Sequence, residues 1–278
     1  MKLQIMIADP AGNTTIFVMT PVNRRHYGEV AQKLLDIKKF NGEQVAFVLP
    51  PEEEPEDLAG LPQTEKPDGV MEMSGLEFCG NAARSFGLVL AAEKRLRGRH
   101  TFNILASGCE ALLEVKIDTA EKAASVKIPG PIACETISQE EFPDAGDCRI
   151  VDMGGIVHAV FLNKTPSEKI IADTSEFIVK KYDPAAAGVL FYENGRNFMT
   201  PVVFVPGVGT TYYEKSCGSG TVALACVLDA DKKDGSYNHR IIQPGGEINA
   251  LIKKENDTVE SVTIDGTVKL GPKITLSV

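Results

Sequence analysis

The chain has 278 residues, 43% of them hydrophobic, enough to bury one large core or two ordinary ones. Its formal net charge of -9, with no long Lys/Arg run, argues against nucleic acid as a partner. No apolar stretch approaches the roughly 18–20 residues that span a bilayer, so no membrane partner is expected and the cytoplasm is the expected location.

In chain order, Met1 to Asp9 is a short apolar run with one Lys that stops at Asp9-Pro10. It reads as a first strand, not a signal peptide. Ile5 to Val18, around Ala11-Gly12-Asn13, reads as strand, glycine turn, strand. Arg25 to Lys38 reads as a helix, with Val30, Leu34, Leu35 and Ile37 on one face. Residues 50–67, rich in Glu and Pro, read as a solvated loop. A helix begins at Cys79-Gly80 and runs through Phe86 to Lys94. A turn at Ala106-Ser-Gly-Cys109 precedes a strand pair, Ala111 to Ile117 and Ala124 to Ile128.

The second half repeats this order. Ile150 to Phe161 surrounds Met153-Gly154-Gly155, Pro166 to Lys181 reads as a helix, and Cys217-Gly218 opens another. The turn Gln243-Pro-Gly-Gly246 then precedes Ile248 to Lys253 and Ser261 to Ile264. Gly108 follows Cys79 by 29 residues, and Gly246 follows Cys217 by the same 29. Three parallels in one order, one with identical spacing, indicate a duplicated α/β unit. The expected domains are 1–136 and 137–278, divided near Pro131 to Asp147, with the C-terminal strand 273–278 crossing back to the first.

Six cysteines without CxxC spacing and four scattered histidines (His26, His100, His158, His239) give no structural zinc pattern. The thiols are expected to be reduced. Cys109, Cys134, Cys148 and Cys226 read as small buried core residues. Cys79 and Cys217 stand apart because each precedes Gly at the start of a helix. There the unpaired amides carry partial positive charge, which favours a thiolate. The amides of Gly80, Asn81, Gly218 and Ser219 can receive a carboxylate. Two such turns acting on one substrate would place its Cα between two sulfurs. One thiolate takes the α-proton and the other thiol returns one to the opposite face, with no metal and no cofactor.

The segments Phe78-Cys79-Gly80-Asn81-Ala82-Ala83-Arg84 and Ser216-Cys217-Gly218-Ser219-Gly220-Thr221 resemble the two active-site motifs of the diaminopimelate epimerase family. Ala11-Gly12-Asn13, Gly42-Glu43-Gln44 and Gln243-Pro244-Gly245-Gly246 are similar to further segments of that family. The resemblance implies an α/β fold of two pseudo-symmetric mixed-sheet domains, each wrapped around a central helix. It also implies Cys79 and Cys217 as the acid/base pair, with Asn13, Gln44 and Asn81 around the substrate.

Departures bear on the substrate. Where the family has Asn-Pro-His after Met153-Gly154, this chain has Gly155-Ile156-Val157-His158. Where it has Asn before Gly188, this chain has Ala185-Ala186-Ala187. Its Glu-Arg becomes Glu214-Lys215. A second amino-acid head group would meet few partners there. The chain is closer to the histidine racemases of metallophore biosynthesis, through Met73 to Ala82, Glu214 to Thr221 and Glu43-Gln44-Val45.

That resemblance makes Glu43 the partner of an imidazole nitrogen and Glu214 that of the α-ammonium. The alternative for Glu43 is a solvated loop carboxylate, and for Asn13 a turn cap. His158 reads as a core histidine rather than a catalytic one, and Glu72 and Glu77 as carboxylates flanking the first motif that could face water. The expected function is a cofactor-independent amino-acid racemase acting on histidine. The alternatives are an epimerase of diaminopimelate or another amino acid, and a non-catalytic amino-acid-binding protein. A small amino acid is the expected partner, and a homodimer is left open.

Overall fold

The computed structural model describes residues 1–50, 66–109, 111–138, 142 and 148–278. Of the expected loop 50–67, residues 51–65 lie outside the described residues, as do 139–141 and 143–147 of the expected boundary. The chain forms two compact units, Met1–Lys127 with Asp265–Val278, and Ile128–Ile264. Among the described residues no helix is long and apolar enough to cross a membrane.

The first unit contains β1 (Lys2–Asp9), β2 (Thr15–Val18), α1 (Tyr27–Leu35), β3 (Gln44–Leu49), β4 (Gly69–Met73), α2 (Gly80–Glu93), β5 (Arg99–Ala106), β6 (Leu113–Asp118) and β7 (Ala123–Ile128). β1 pairs antiparallel with β2, β2 parallel with β3, β3 antiparallel with β4, β4 parallel with β5, and β5 antiparallel with β6. β6 pairs antiparallel with β7. Two strands from the end of the chain, β17 (Lys269–Leu270) and β18 (Ile274–Ser277), pair antiparallel with the other edge of β1.

The second unit contains β8 (Ala133–Ile137), β9 (Cys148–Asp152), β10 (Ile156–Leu162), α3 (Glu168–Tyr182), β11 (Ala186–Glu193), β12 (Phe198–Val205), β13 (Thr210–Tyr213), α4 (Gly218–Leu228), β14 (Gly235–Gln243) and β15 (Gly246–Glu255), followed by β16 (Thr258–Thr267). Here β9–β10 is antiparallel, β10–β11 parallel, β11–β12 antiparallel, β12–β14 parallel and β14–β15 antiparallel. The same alternation of pairings occurs in both units, and in both a helix follows the second and the fourth strand of the series. The mixed α/β unit is therefore duplicated in topology as well as in sequence.

The elements follow from their residues. β6 alternates buried and exposed side chains along Leu113-Glu-Val-Lys-Ile117, as a half-buried strand should. α1 buries Tyr27, Val30, Ala31 and Leu34, a stripe at helical spacing that packs against Phe40, Val45 and Phe47. It is shorter than the expected Arg25 to Lys38 helix. Arg24–His26 is a 3-10 turn, and Asp36 closes the helix before a second 3-10 turn that ends at Asn41 with φ 47°. α3 starts one residue after Ser167, whose hydroxyl accepts the amide of Ile170.

The helices α2 and α4 are different. α2 is buried at every residue from Gly80 to Ala91, and α4 at all but Ser219 and Leu228. Such helices show no amphipathic stripe because they have no wet face. Close approach depends on small residues: a Cβ on Gly87 would stand 2.6 Å from Val115 and 2.7 Å from Ile117. Among the remaining cysteines Cys109, Cys148 and Cys226 are buried as expected. Cys134 is exposed, which corrects its reading as a core residue; four of the five residues of β8 are exposed.

Candidate active site

Cys79 and Cys217 are the N-cap residues of α2 and α4, with nearly the same backbone: φ -131°, ψ 108° and φ -125°, ψ 115°. The shared spacing of 29 residues has a physical cause. In the first unit the Ser107-Gly108 turn supports the peptide entering Cys79. Ser107 Oγ donates to Glu77 O at 2.8 Å and accepts Met73 N at 2.9 Å. A Cβ on Gly108, whose φ is +71°, would stand 2.4 Å from Phe78 N. In the second unit Gln243 Oε1 accepts the Cys217 amide at 2.8 Å, and Gly245 N donates to Lys215 O at 2.8 Å. Each turn holds the chain at the mouth of the helix that carries the thiol.

Around Cys79 the structure brings together Asn13, Glu43, Gln44, Gly80 and Asn81. Gln44 Nε2 lies 3.3 Å from Cys79 Sγ, 2.9 Å from Asn13 Oδ1 and 2.8 Å from Thr15 Oγ1. Asn81 Nδ2 donates to Asn13 Oδ1 at 3.3 Å, and Asn13 Nδ2 donates to Glu43 Oε2 at 3.2 Å. Asn13 is buried and does not cap its own turn; Asp9 Oδ1 does, accepting Gly12 N at 2.6 Å. Of the two acidic residues flanking this motif, Glu72 is buried and holds Arg24 and the Tyr27 hydroxyl. Glu77 has its carboxyl raised above the usual carboxylate range by burial.

Around Cys217 it brings together Glu214, Gly218 and Ser219. Ser219 Oγ lies 3.5 Å from Cys217 Sγ and 3.0 Å from His158 Nε2. The expectation that a helix N-terminus lowers the thiol's pKa fails here. Burial pushes the Cys217 thiol well above its ordinary value, and the Glu214 carboxylate adds to the rise. Ser219 and the Gly220 amide pull the other way without reversing it. Cys217 therefore rests as a neutral thiol.

Three further residues serve these clusters. Gln243, in the turn quoted for its resemblance, is 2% exposed and also donates to Thr221 Oγ1 at 2.9 Å. His158 is fully buried, and burial lowers it to about 3, so its ring is neutral. It faces Gly188 across β10 and β11, where a Cβ would stand 2.0 Å from its Nδ1. Arg84 is fully buried inside α2, where it bonds Asn81 Oδ1 at 3.2 Å and Gly266 O at 3.1 Å. A lone charge in a helix pattern ordinarily reads as a solvated face, which hides a residue of this kind.

The chain is 30% identical to a histidine racemase of Fusobacterium nucleatum subsp. nucleatum, covering 96% of this chain and 94% of that one. It is 24% identical to a histidine racemase of Staphylococcus aureus, covering 94% and 92%. Among solved structures it shares its fold with a probable proline racemase from Agrobacterium radiobacter K84, at a TM-score of 0.65 and 12% identity over 97% of this chain and 92% of that one. The chain is an isomerase of the racemase and epimerase class. Residues 2–273 match the model of the histidine racemase CntK N-terminal domain, and the chain belongs to that family.

Proposed function

We propose that the protein inverts the Cα of histidine without a cofactor, using Cys79 and Cys217 as its two proton-transfer groups. The observation that carries this reading is the repeated cysteine N-cap, one on each buried helix, with the same backbone conformation. Inversion needs one group to remove the α-proton as a base and a second to protonate the opposite face as an acid. Each unit contributes one thiol. In one direction the Cys79 thiolate takes the proton and the Cys217 thiol gives one up. The reverse reaction exchanges the roles, and charge balances in both. The first amides of α2 and α4, at Gly80, Asn81, Gly218 and Ser219, stabilise the carboxylate as the carbanion's charge spreads into it.

Glu214 takes the α-ammonium. Its negative charge helps keep the resting Cys217 protonated. An ammonium against Glu214 offsets that charge, so Cys217 becomes a stronger acid when substrate is present. Glu43, held by the Asn13 side-chain amide, takes an imidazole N–H and fixes the ring's tautomer. The names of the near full-length relatives support histidine as the substrate.

The test is incubation of reduced protein with single L-amino acids in D2O, read by loss of the α-proton signal and by chiral chromatography. Histidine and diaminopimelate lead the panel. Exchange with inversion on histidine is expected, with Cys79→Ser and Cys217→Ser each losing about 10²–10⁴-fold in rate. Inversion of diaminopimelate alone would replace the substrate and keep the mechanism. Tight histidine binding without exchange, unchanged in both variants, would make this an amino-acid-binding protein.

A further inference from the structure

A guanidinium with no exposed surface is costly to keep in a helix core, and the duplication offers a comparison. Arg84 stands five residues after Cys79; the residue five after Cys217 is Val222. Both are fully buried in their helices. The fold therefore does not itself require a charge at this position.

The contacts of Arg84 suggest what the charge does. Its Nε donates to Asn81 Oδ1 at 3.2 Å, Asn81 Nδ2 donates to Asn13 Oδ1 at 3.3 Å, and Asn13 Nδ2 donates to Glu43 Oε2 at 3.2 Å. A guanidinium can only donate and a carboxylate can only accept. With those two groups at the ends, both amides between them have one permitted orientation. Gln44 Nε2 joins the same chain at Asn13 Oδ1 and also reaches Cys79 Sγ.

We propose that Arg84 is the positioning residue of the Cys79 half: it sets the direction of the amide chain that ends on Glu43 and supplies a positive charge that favours the Cys79 thiolate. Burial lowers Arg84 to about 10, and the charges of Asp265 and, after it, Cys79 work against that fall. The two thiols then have different charged neighbours: Arg84, itself balanced by Asp265, acts on Cys79, and the Glu214 carboxylate acts on Cys217. On this proposal Arg84 favours Cys79 as the base, while burial and Glu214 keep Cys217 as the acid. This rests on the two-thiol reading above, so its test is made with no amino acid present and does not depend on which substrate is turned over.

The experiment uses the whole protein, with Arg84→Gln and Arg84→Lys. The rate of Cys79 carboxamidomethylation is followed from pH 6 to 10 by peptide mass spectrometry, with Cys217 in the same digest as internal control. In 15N-labelled protein, exchange of the Asn13 and Asn81 side-chain amides is followed by NMR. Arg84→Gln should raise the Cys79 midpoint by about one unit and speed both amides' exchange, leaving the Cys217 midpoint in place. Arg84→Lys, which keeps a donor-only cation, should restore most of both. If Arg84 were only structural, both variants would melt earlier with the Cys79 midpoint and amide exchange unmoved, and the proposal falls.

Should Arg84→Gln fail to fold, the wild type still decides. The Arg84 Nε–H resonance should shift with the Cys79 midpoint, and that step should vanish in Cys79→Ser. An Arg84 signal flat through the Cys79 transition overturns the assignment.

Discussion

The acidity of Cys217 is set by a contest among burial, a carboxylate and a hydroxyl. Burial and Glu214 oppose the thiolate, while Ser219 and the Gly220 amide favour it. The two polar neighbours can be removed separately, and their effects have opposite signs. Glu214→Gln removes the like charge, so the Cys217 pKa should fall while staying above the ordinary thiol value, because burial remains. Ser219→Ala removes a stabilising hydrogen bond, so it should rise further. The pH at which Cys217 alkylation accelerates should thus move down in the first variant and up in the second. Movement in one direction for both would mean that a general loosening of the site controls reactivity. The cysteines themselves were legible because Cys-Gly at a helix start is a local pattern that occurs twice. The direction of the Cys217 shift was not, since burial and the reach of Glu214 depend on tertiary packing.

At the scale of elements, α4 is anchored by residues outside it. Gln243, at the end of β14, accepts the Cys217 amide and donates to Thr221. Gln243→Ala would leave a buried amide without its acceptor, at about 1–3 kcal/mol. Urea unfolding should register that loss, and Cys217 alkylation should quicken as the helix start frays. Stability equal to wild type would show that another group takes over the amide.

His158 and Gly188 make a second test. The ring occupies the space where a Cβ at position 188 would be, so Gly188→Ala should destabilise by about 1–3 kcal/mol through overpacking. In a His158→Ala background the same change should cost much less, because the ring is gone. Equal cost in both backgrounds would place the strain in the strand backbone instead. Neither pair was legible from sequence alone. Gln243 reads as one polar residue before a Pro-Gly turn, and the His158–Gly188 contact needs the β10–β11 register. The strands beside the glycine turns and the two amphipathic helices, by contrast, were legible from local pattern, whereas β3, β4, β5, β8 and β11 to β14 were not. The end of α1 was misjudged because Ile37 continues the apolar pattern past Asp36, where the helix closes.

At the scale of the molecule, the duplication was legible because equivalent turns must support equivalent helix starts, which kept the distance from cysteine to glycine equal. The pairing of β17 and β18 with β1 was harder to read, because Lys273 to Val278 reads as a strand by itself but its partner lies at the opposite end of the chain. That pairing supports a test of the first unit. β18 aligns Leu276 with Leu3 and Ile274 with Ile5. Leu3 and Ile5 are fully buried, and Ile274 and Leu276 pack against the same core as α1.

Deleting residues 274–278 would remove that ladder and two partly buried aliphatic side chains, and would open an edge of β1. The loss should be about 2–4 kcal/mol, from roughly half-buried side chains and a few strand hydrogen bonds. Hydrogen exchange should locate it. Amides of β1 should lose protection first, followed by β2 and β3, while β10 and β11 keep theirs. Equal loss across both units would mean that they unfold as one cooperative body. Protection unchanged in β1 would mean that the core formed by α1, β2 and β3 holds the strand without its edge partner.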